Sequence, residues 1–182
     1  APVCVGPYSQ SNTLRSSLHF LAGQIGLIPS TMQLHPTWSS QLQQCWRNTA
    51  SVLDALNGAS LDLLFSGLIY VVPDVYQKPG ALDEIGGITA KQLGDNGSVV
   101  PGRVDSNRPD LYGGYEDEAT MHEMEGGKTA AQCPILVVAI SEMPKSAAIE
   151  VEVVTVAKDV ASSLEMNDFQ STQKCRTNSK DD

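Results

Sequence analysis

Residues 17–28, SLHFLAGQIGLI, and residues 36–58, PTWSSQLQQCWRNTASVLDALNG, decide the fold. In the first stretch Leu18, Phe20 and Ala22 alternate with His19 and Leu21, the two-residue period of a strand. Gly23 and Gly26 interrupt it, as glycines do where a strand bulges or another backbone or a ligand comes close. In the second stretch Leu42, Cys45, Trp46, Thr49, Val52, Leu53 and Leu56 recur at helical steps. They form one apolar stripe, with Gln43, Gln44, Arg47, Asn48, Ser51 and Asp54 predicted on the far side. Pro36 and Thr37 supply the start chemistry, and Gly58 is placed to end the helix. Between the two stretches, Pro29 to Met32 predicts a turn, and Gln33-Leu34 a short return strand.

Downstream, Leu63 to Val72 reads as a buried strand closed by Pro73, and Gly80 to Leu93 as a weaker helix. Periodicity vanishes from Gly94 to Gln132, a stretch rich in Gly, Pro, Asn and acidic residues that predicts a long surface insertion. It returns in Pro134 to Ile140 and in Ile149 to Val156, separated by a turn at Met143-Pro144-Lys145 and predicted to pair as a hairpin. The chain is polar after Lys158, so residues 159–182 are expected to form a disordered tail on a single 1–158 domain. Strand pairs separated by helices predict an α+β fold, with two helices on one face of a mixed sheet. The strands carry apolar residues on both sides, so the other face is expected to be buried on another copy or another domain.

The 182 residues carry 12 Lys+Arg against 21 Asp+Glu, a net charge of −9 that disfavours a general nucleic-acid coat. The longest apolar runs fall far short of a membrane span. Cys4, Cys45, Cys133 and Cys175 lack any CxxC spacing and read as reduced thiols of a cytoplasmic protein, not as zinc ligands. No charged-then-apolar leader opens the chain, so no retained signal peptide is expected; its start at Ala1 without Met suits either a piece of a longer protein or removal of Met before Ala. There is no phosphate loop, dinucleotide fingerprint, HExxH or GxSxG. His19, His35 and His122 are scattered, and no metal trio is expected among them. Glu118, His122 and Glu125 would meet only if the insertion turned helical. Glu150 and Glu152 share one strand face, either as a solvent row on an edge strand or with one carboxylate facing a cleft between subunits. Tyr8, in Gly6-Pro7-Tyr8-Ser9-Gln10, is either a core aromatic or a cleft hydroxyl.

Those residues carry a resemblance. Val5 to Gln10, then Leu21-Ala22-Gly23-Gln24-Ile25-Gly26-Leu27, Ala59-Ser60-Leu61-Asp62, Met143-Pro144-Lys145 and Ile149-Glu150-Val151-Glu152, resemble in order and spacing the RidA/YjgF family, over roughly 3–76 and 134–158. The resemblance implies a chorismate-mutase-like sheet backed by two helices. It also implies a trimer with clefts between subunits, and a cleft that takes in Tyr8, Gly23, Ile135, Val137 and Glu150.

Family deaminases hold the substrate carboxylate with an arginine in a P-A-R step, and alignment on Met143-Pro144 puts Ile135 at that position. An aliphatic side chain cannot supply the two-pronged charged contact. The phrase at Gly26 to Leu34, GLIPSTMQL, resembles the RidA-like domains of long-form eukaryotic diphthine–ammonia ligases. These amidate diphthine on elongation factor 2 using ATP, whose loop would lie in an absent N-terminal domain. The expected function is therefore an accessory domain of such a ligase, without a cofactor of its own, partnered by its own copies or a second RidA-like domain. The alternatives are a 2-iminobutanoate/2-iminopropanoate-type deaminase, with Glu150 orienting a water and Arg103 or Arg108 holding the carboxylate, and the endoribonuclease activity ascribed to some family members.

Overall fold

The computed structural model describes residues 2–15, 17–56, 59–94 and 133–160. The insertion beyond Gly94, with Arg103, Arg108 and His122, lies outside them, as do Gly58 and the chain beyond Val160. The elements run β1 (Ser11–Leu14), β2 (Leu18–Leu21), β3 (Gln24–Ile25), α1 (Trp38–Asp54), β4 (Leu64–Val71), α2 (Pro73–Tyr76), α3 (Ala81–Leu93), β5 (Ile135–Ala139) and β6 (Ile149–Val156). They build one six-stranded mixed sheet in the order β1-β2-β6-β4-β5, with β3 also paired to β6.

The α+β architecture with two covering helices stands as expected, but the predicted β5–β6 hairpin does not form. β5 lies parallel to β4 on the outer edge, Gly67 opposite Ile135, while β6 inserts antiparallel between β2 and β4. A parallel β4–β5 pair demands a crossover, and α3 forms its first part after β4. β6 is thus a central strand, and the edge-strand reading of Glu150 and Glu152 is overturned with it.

Alternation sorts the two faces. Ile149, Val151 and Val153 of β6, Ile69 and Val71 of β4, Ile135 and Val137 of β5 and Leu21 of β2 are buried in one core cluster with Leu42, Cys45, Trp46, Val52 and Leu53 of α1 and Ile85 and Leu93 of α3. Burying a side chain of this kind stabilises by about 1.5–3 kcal/mol.

α1 begins with a capping box. Thr37 Oγ1 accepts from the Ser40 amide at 3.2 Å, and Ser40 Oγ accepts from the Thr37 amide at 3.3 Å. Its polar side corrects the sequence reading. Gln43, Arg47 and Ser51 are exposed, but Gln44 and Asn48 are buried. Asn48 Nδ2 donates to the carbonyls of Ile25 (3.1 Å) and Leu27 (3.0 Å), and its Oδ1 accepts from Gln44 Nε2 at 2.8 Å. β3 has only two residues, so the carbonyls of Ile25 and Leu27 find donors on the helix. One helical turn away, Gln41 Nε2 donates to the His35 carbonyl (2.8 Å) while its Oε1 accepts from the Ala148 amide (2.9 Å). Gly26 permits this approach, because a Cβ there would stand 2.5 Å from the Cα of Gln41.

A smaller cluster of Ile25, Leu27, Met143 and Ala147 packs beneath the two turns at this end of the sheet. Leu27 pairs with Leu34 through a single bridge, which is all that forms of the predicted return strand.

Asn48→Ala removes all three side-chain bonds and strands the buried Leu27 carbonyl. The expected loss is about 1–3 kcal/mol in urea unfolding. A loss below about 0.5 kcal/mol would show that Asn48 is a bystander.

Candidate functional site

The face of the sheet away from the helices carries Leu18 and Phe20 on β2, Glu150, Glu152 and Val154 on β6, Leu68 and Tyr70 on β4, and Leu136 and Val138 on β5. At one end of it the N-terminal segment folds over β3 and encloses a cavity of about 30 Å³ lined by Pro2, Cys4, Tyr8, Gly23, Ile25 and Glu150, among others. Such a space admits a water or two, not a metabolite. The segment is pinned by Gln10 Nε2 donating to the Pro2 carbonyl at 2.6 Å, and by the Ala22 amide donating to the Gln10 carbonyl at 2.9 Å.

Glu150 is the chemically distinctive wall. It is half-buried, and its carboxyl lies flat on Gly23, where any Cβ would fall inside the carboxyl group. This is the close approach that the glycine spacing anticipated, although its partner is a side chain from β6. Burial first, and then the Glu152 charge, push the Glu150 carboxyl above the usual carboxylate range. Glu152 accepts a hydrogen bond from the Tyr70 hydroxyl at 3.1 Å, and Tyr70 stands directly opposite Glu150 in the β4–β6 register. Burial, followed by the hydrogen bond and charge of Glu152 and the charge of Glu150, raises the Tyr70 phenol in turn.

The residues predicted for the cleft divide. Tyr8, Gly23 and Glu150 meet at the cavity; Ile135 and Val137 do not. Both are buried on the helix side of β5, and Ile135 fills the notch left by Gly67, its Cδ1 2.7 Å from where a Cβ would stand. The alternation explains the correction. Read against the P-A-R step from Pro134 onward, Ile135 holds the alanine's place, and the arginine's place falls to Leu136. That residue faces the open side at 37% exposure, beside Leu68, which itself lies opposite Glu152. The position is aliphatic under either alignment.

Tyr70 and Leu136 were missed because nothing in their own strands marks them; only the pairing of β4, β5 and β6 brings them beside the carboxylates. Three further titratable residues are buried. His19 is buried on the helix side, its Nδ1 2.9 Å from Thr13 Oγ1. Cys45 donates to the Ile149 carbonyl and its thiol is pushed far up by burial; Cys133 is pushed up to about 11 by the same cause. Among the described residues no group of three His, Cys, Asp or Glu could hold a metal ion. No helix among them is long and apolar enough to cross a membrane.

With this geometry in hand, comparison with known proteins is informative. No family model matches the chain. A 54-residue stretch is 41% identical to a RutC family protein of Aquifex aeolicus, a match that takes in 30% of this chain and only 42% of that relative's length. RidA from an Antarctic Psychrobacter superimposes with a TM-score of 0.56 at 18% identity, over 86% of this chain and 93% of that one. Escherichia coli TdcF with bound serine does so at 0.58 and 19%, over 86% and 92%. An endoribonuclease-named protein of Thermotoga maritima gives 0.58 and 18%, over 86% and 91%. At such identities the superpositions establish the RidA-like fold alone; the likeness to the RutC family protein is confined to the matched stretch.

Because the Glu150 carboxyl is raised in the folded RidA-like chain, the folded state binds more protons than the unfolded one between the two midpoints. Its contribution to stability is therefore greatest below the ordinary carboxylate value and declines as pH rises through the folded midpoint. Carboxyl-carbon NMR is expected to show Glu150 titrating above the usual carboxylate range. Glu152→Gln should lower that midpoint part of the way, since burial persists. An ordinary midpoint in the unaltered protein would refute the assignment.

Proposed function

We propose that this chain is a RidA-like accessory module of a diphthine–ammonia ligase and does not itself hydrolyse imines. The observation that carries the reading is Leu136. It occupies the place of the arginine that grips a carboxylate in family deaminases, and its neighbour across Leu68 is Glu152. The paired carboxyl groups of Glu150 and Glu152 on this face disfavour an anionic imino acid where a deaminase attracts one. The same array suits a neutral or cationic nitrogen group, which is in keeping with a protein whose parent consumes ammonia. The wording of Gly26 to Leu34 supports the ligase context. In that context ATP is held by another domain, and the product is diphthamide on elongation factor 2.

The cavity at Glu150 is too small for a metabolite within one chain, so a working cleft at that place needs a second wall. We place that wall on another copy of the chain or on a second RidA-like domain of the parent, in the cytoplasm.

A deaminase reading is favoured by one feature, the raised Glu150 facing Tyr8 and Gly23 in the cavity. It requires a cation from elsewhere to hold the substrate. The endoribonuclease reading has the names of relatives on its side. Against it stand the net charge of −9 and two carboxylates where a phosphate would have to bind.

Purified protein supplied with freshly generated 2-iminobutanoate is expected to leave its hydrolysis at the buffer rate. Leu136→Arg should tighten binding of 2-oxobutanoate by about tenfold to a hundredfold, the range of one charge-assisted contact. Cells lacking the protein should accumulate unamidated diphthine on elongation factor 2 by mass spectrometry. Rapid turnover by the unaltered chain would reject the accessory role, and normal diphthamide in the deleted strain would reject the ligase context.

A further inference from the structure

A second recess lies beyond the end of the sheet, where β4 and β5 finish side by side as parallel neighbours. From β4 the chain passes through Pro73 into α2, whose Val75 joins the helix-side core. From β5 it turns the other way, and Met143 and Ala147 pack with Ile25 and Leu27 against Tyr70 of the open face. Neighbouring parallel strands whose chains part to opposite sides leave a crevice at their carboxyl ends. Here the crevice measures about 600 Å³. Small-molecule sites usually span roughly 300–1,000 Å³. It shares no lining residue with the cavity at Glu150.

The floor of the crevice is apolar and held in place. Met143 and Ala147 are buried, and Val72 and Ala148 are half-buried beside them. The Val72 amide donates to the Ala148 carbonyl at 3.1 Å, and the Ala148 amide to Gln41 Oε1 at 2.9 Å, which ties the floor to the sheet and to α1. The walls carry one carboxylate each, Asp74 from the β4 side and Glu142 from the β5 side, both exposed. Neither has a hydrogen bond or an ion pair among the described residues. No Lys, Arg or His lines the crevice. Lys145 is kept out by the turn: Lys145 and Ser146 both take left-handed φ, 56° and 58°, a costly conformation for residues with a Cβ, and it is Ser146 that reaches the wall. Lys78 lines the adjoining groove, on which Asp74 also borders.

We propose that this crevice binds a small aliphatic diamine, one ammonium at Asp74, the other at Glu142, and the methylene chain on Val72, Met143 and Ala148. An anion is turned away by both walls and by the net charge of −9. A neutral apolar molecule leaves both carboxylates unanswered, and a single cation answers one. Two charges joined by methylenes match two acidic walls joined by an apolar floor, since an alkyl stem covers apolar surface while its charged head stays in water. Alkylammonium groups also come from the lysines of other proteins; the metabolite-sized volume and the fixed floor favour the free molecule. The site lies apart from the Glu150 cleft, and the proposal stands whether or not that cleft performs a reaction.

Isothermal titration calorimetry of the full chain with 1,4-diaminobutane at low salt tests it. Binding is expected with a Kd of about 1 mM or tighter. Butylamine, with one charge, should bind about fivefold more weakly or worse, and Asp74→Asn and Glu142→Gln should each weaken the diamine about threefold to tenfold. Both residues are exposed, so both variants should keep the far-UV circular dichroism of the parent. Asp54→Asn, at the exposed end of α1, should leave binding unchanged. The peptide acetyl-Lys-Gly-Lys-amide, which offers the same two charges on a backbone, should bind no tighter than the diamine. No binding of the diamine up to about 10 mM overturns the proposal. So does a loss in Asp54→Asn equal to those at Asp74 and Glu142, the mark of diffuse attraction to an acidic chain. A peptide that binds about tenfold tighter than the diamine overturns it as well, by giving the crevice to a protein segment.

Discussion

The seating of α1 against the two-residue strand β3 is the constraint from which the site follows. Asn48 holds the carbonyls of Ile25 and Leu27, and Gln41 bridges the His35 carbonyl and the Ala148 amide. The helix backbone presses on Gly26 so closely that no side chain fits between them. Buried amides with every bond made act as rigid cross-links, because breaking one leaves a polar group stranded away from water. These bonds fix β3 on β6 with Gln24 opposite Val151 and Ile25 opposite Glu150. Gly23 is thereby carried onto the Glu150 carboxyl, and the N-terminal segment closes above it.

That placement has a chemical consequence. A carboxyl half-removed from water and beside a second carboxylate is pushed above the usual carboxylate range. A deaminase needs the opposite balance at the substrate's acid group, where a fixed positive charge must wait. Leu136 at the arginine's place and the acidic pair across the sheet therefore act in the same direction. In the proposed reading both move this cleft away from anionic substrates, while the fold stays that of the RidA-like neighbours. A shared fold does not carry a shared reaction, since a reaction hangs on a few side chains of one face.

Much of this was legible before any coordinates. The alternation in residues 17–28, the stripe from Leu42 to Leu56 and the apolar runs at 64–71, 135–139 and 149–156 give the elements, because burial against a single core imposes those periods. Strand order was not legible. Nothing within β5 or β6 says which neighbour each takes, so the expected hairpin gave way to a parallel edge strand and a central one. The far side of α1 was misjudged for a related reason. Gln44 and Asn48 look like solvent residues unless one knows that the short β3 leaves carbonyls in need of donors. Ile135 was placed in the cleft by alignment, yet a one-residue shift in a strand exchanges its faces, and the burial of Ile135 beside Gly67 assigns the cleft position to Leu136. The glycines were the best local guides, Gly23 and Gly26 each marking a contact that forbids a Cβ.

The central claim is that the α1–β3 clamp sets the environment of Glu150 from the far side of the sheet. The most direct measurement is the titration midpoint of the Glu150 carboxyl, followed by carboxyl-carbon NMR in the folded Asn48→Ala protein. Loosening β3 should let Gly23 withdraw and water enter, so the midpoint should fall toward the ordinary carboxylate value. A midpoint unchanged from the parent protein would contradict the account, for it would mean that Glu150 is held by its own strand alone.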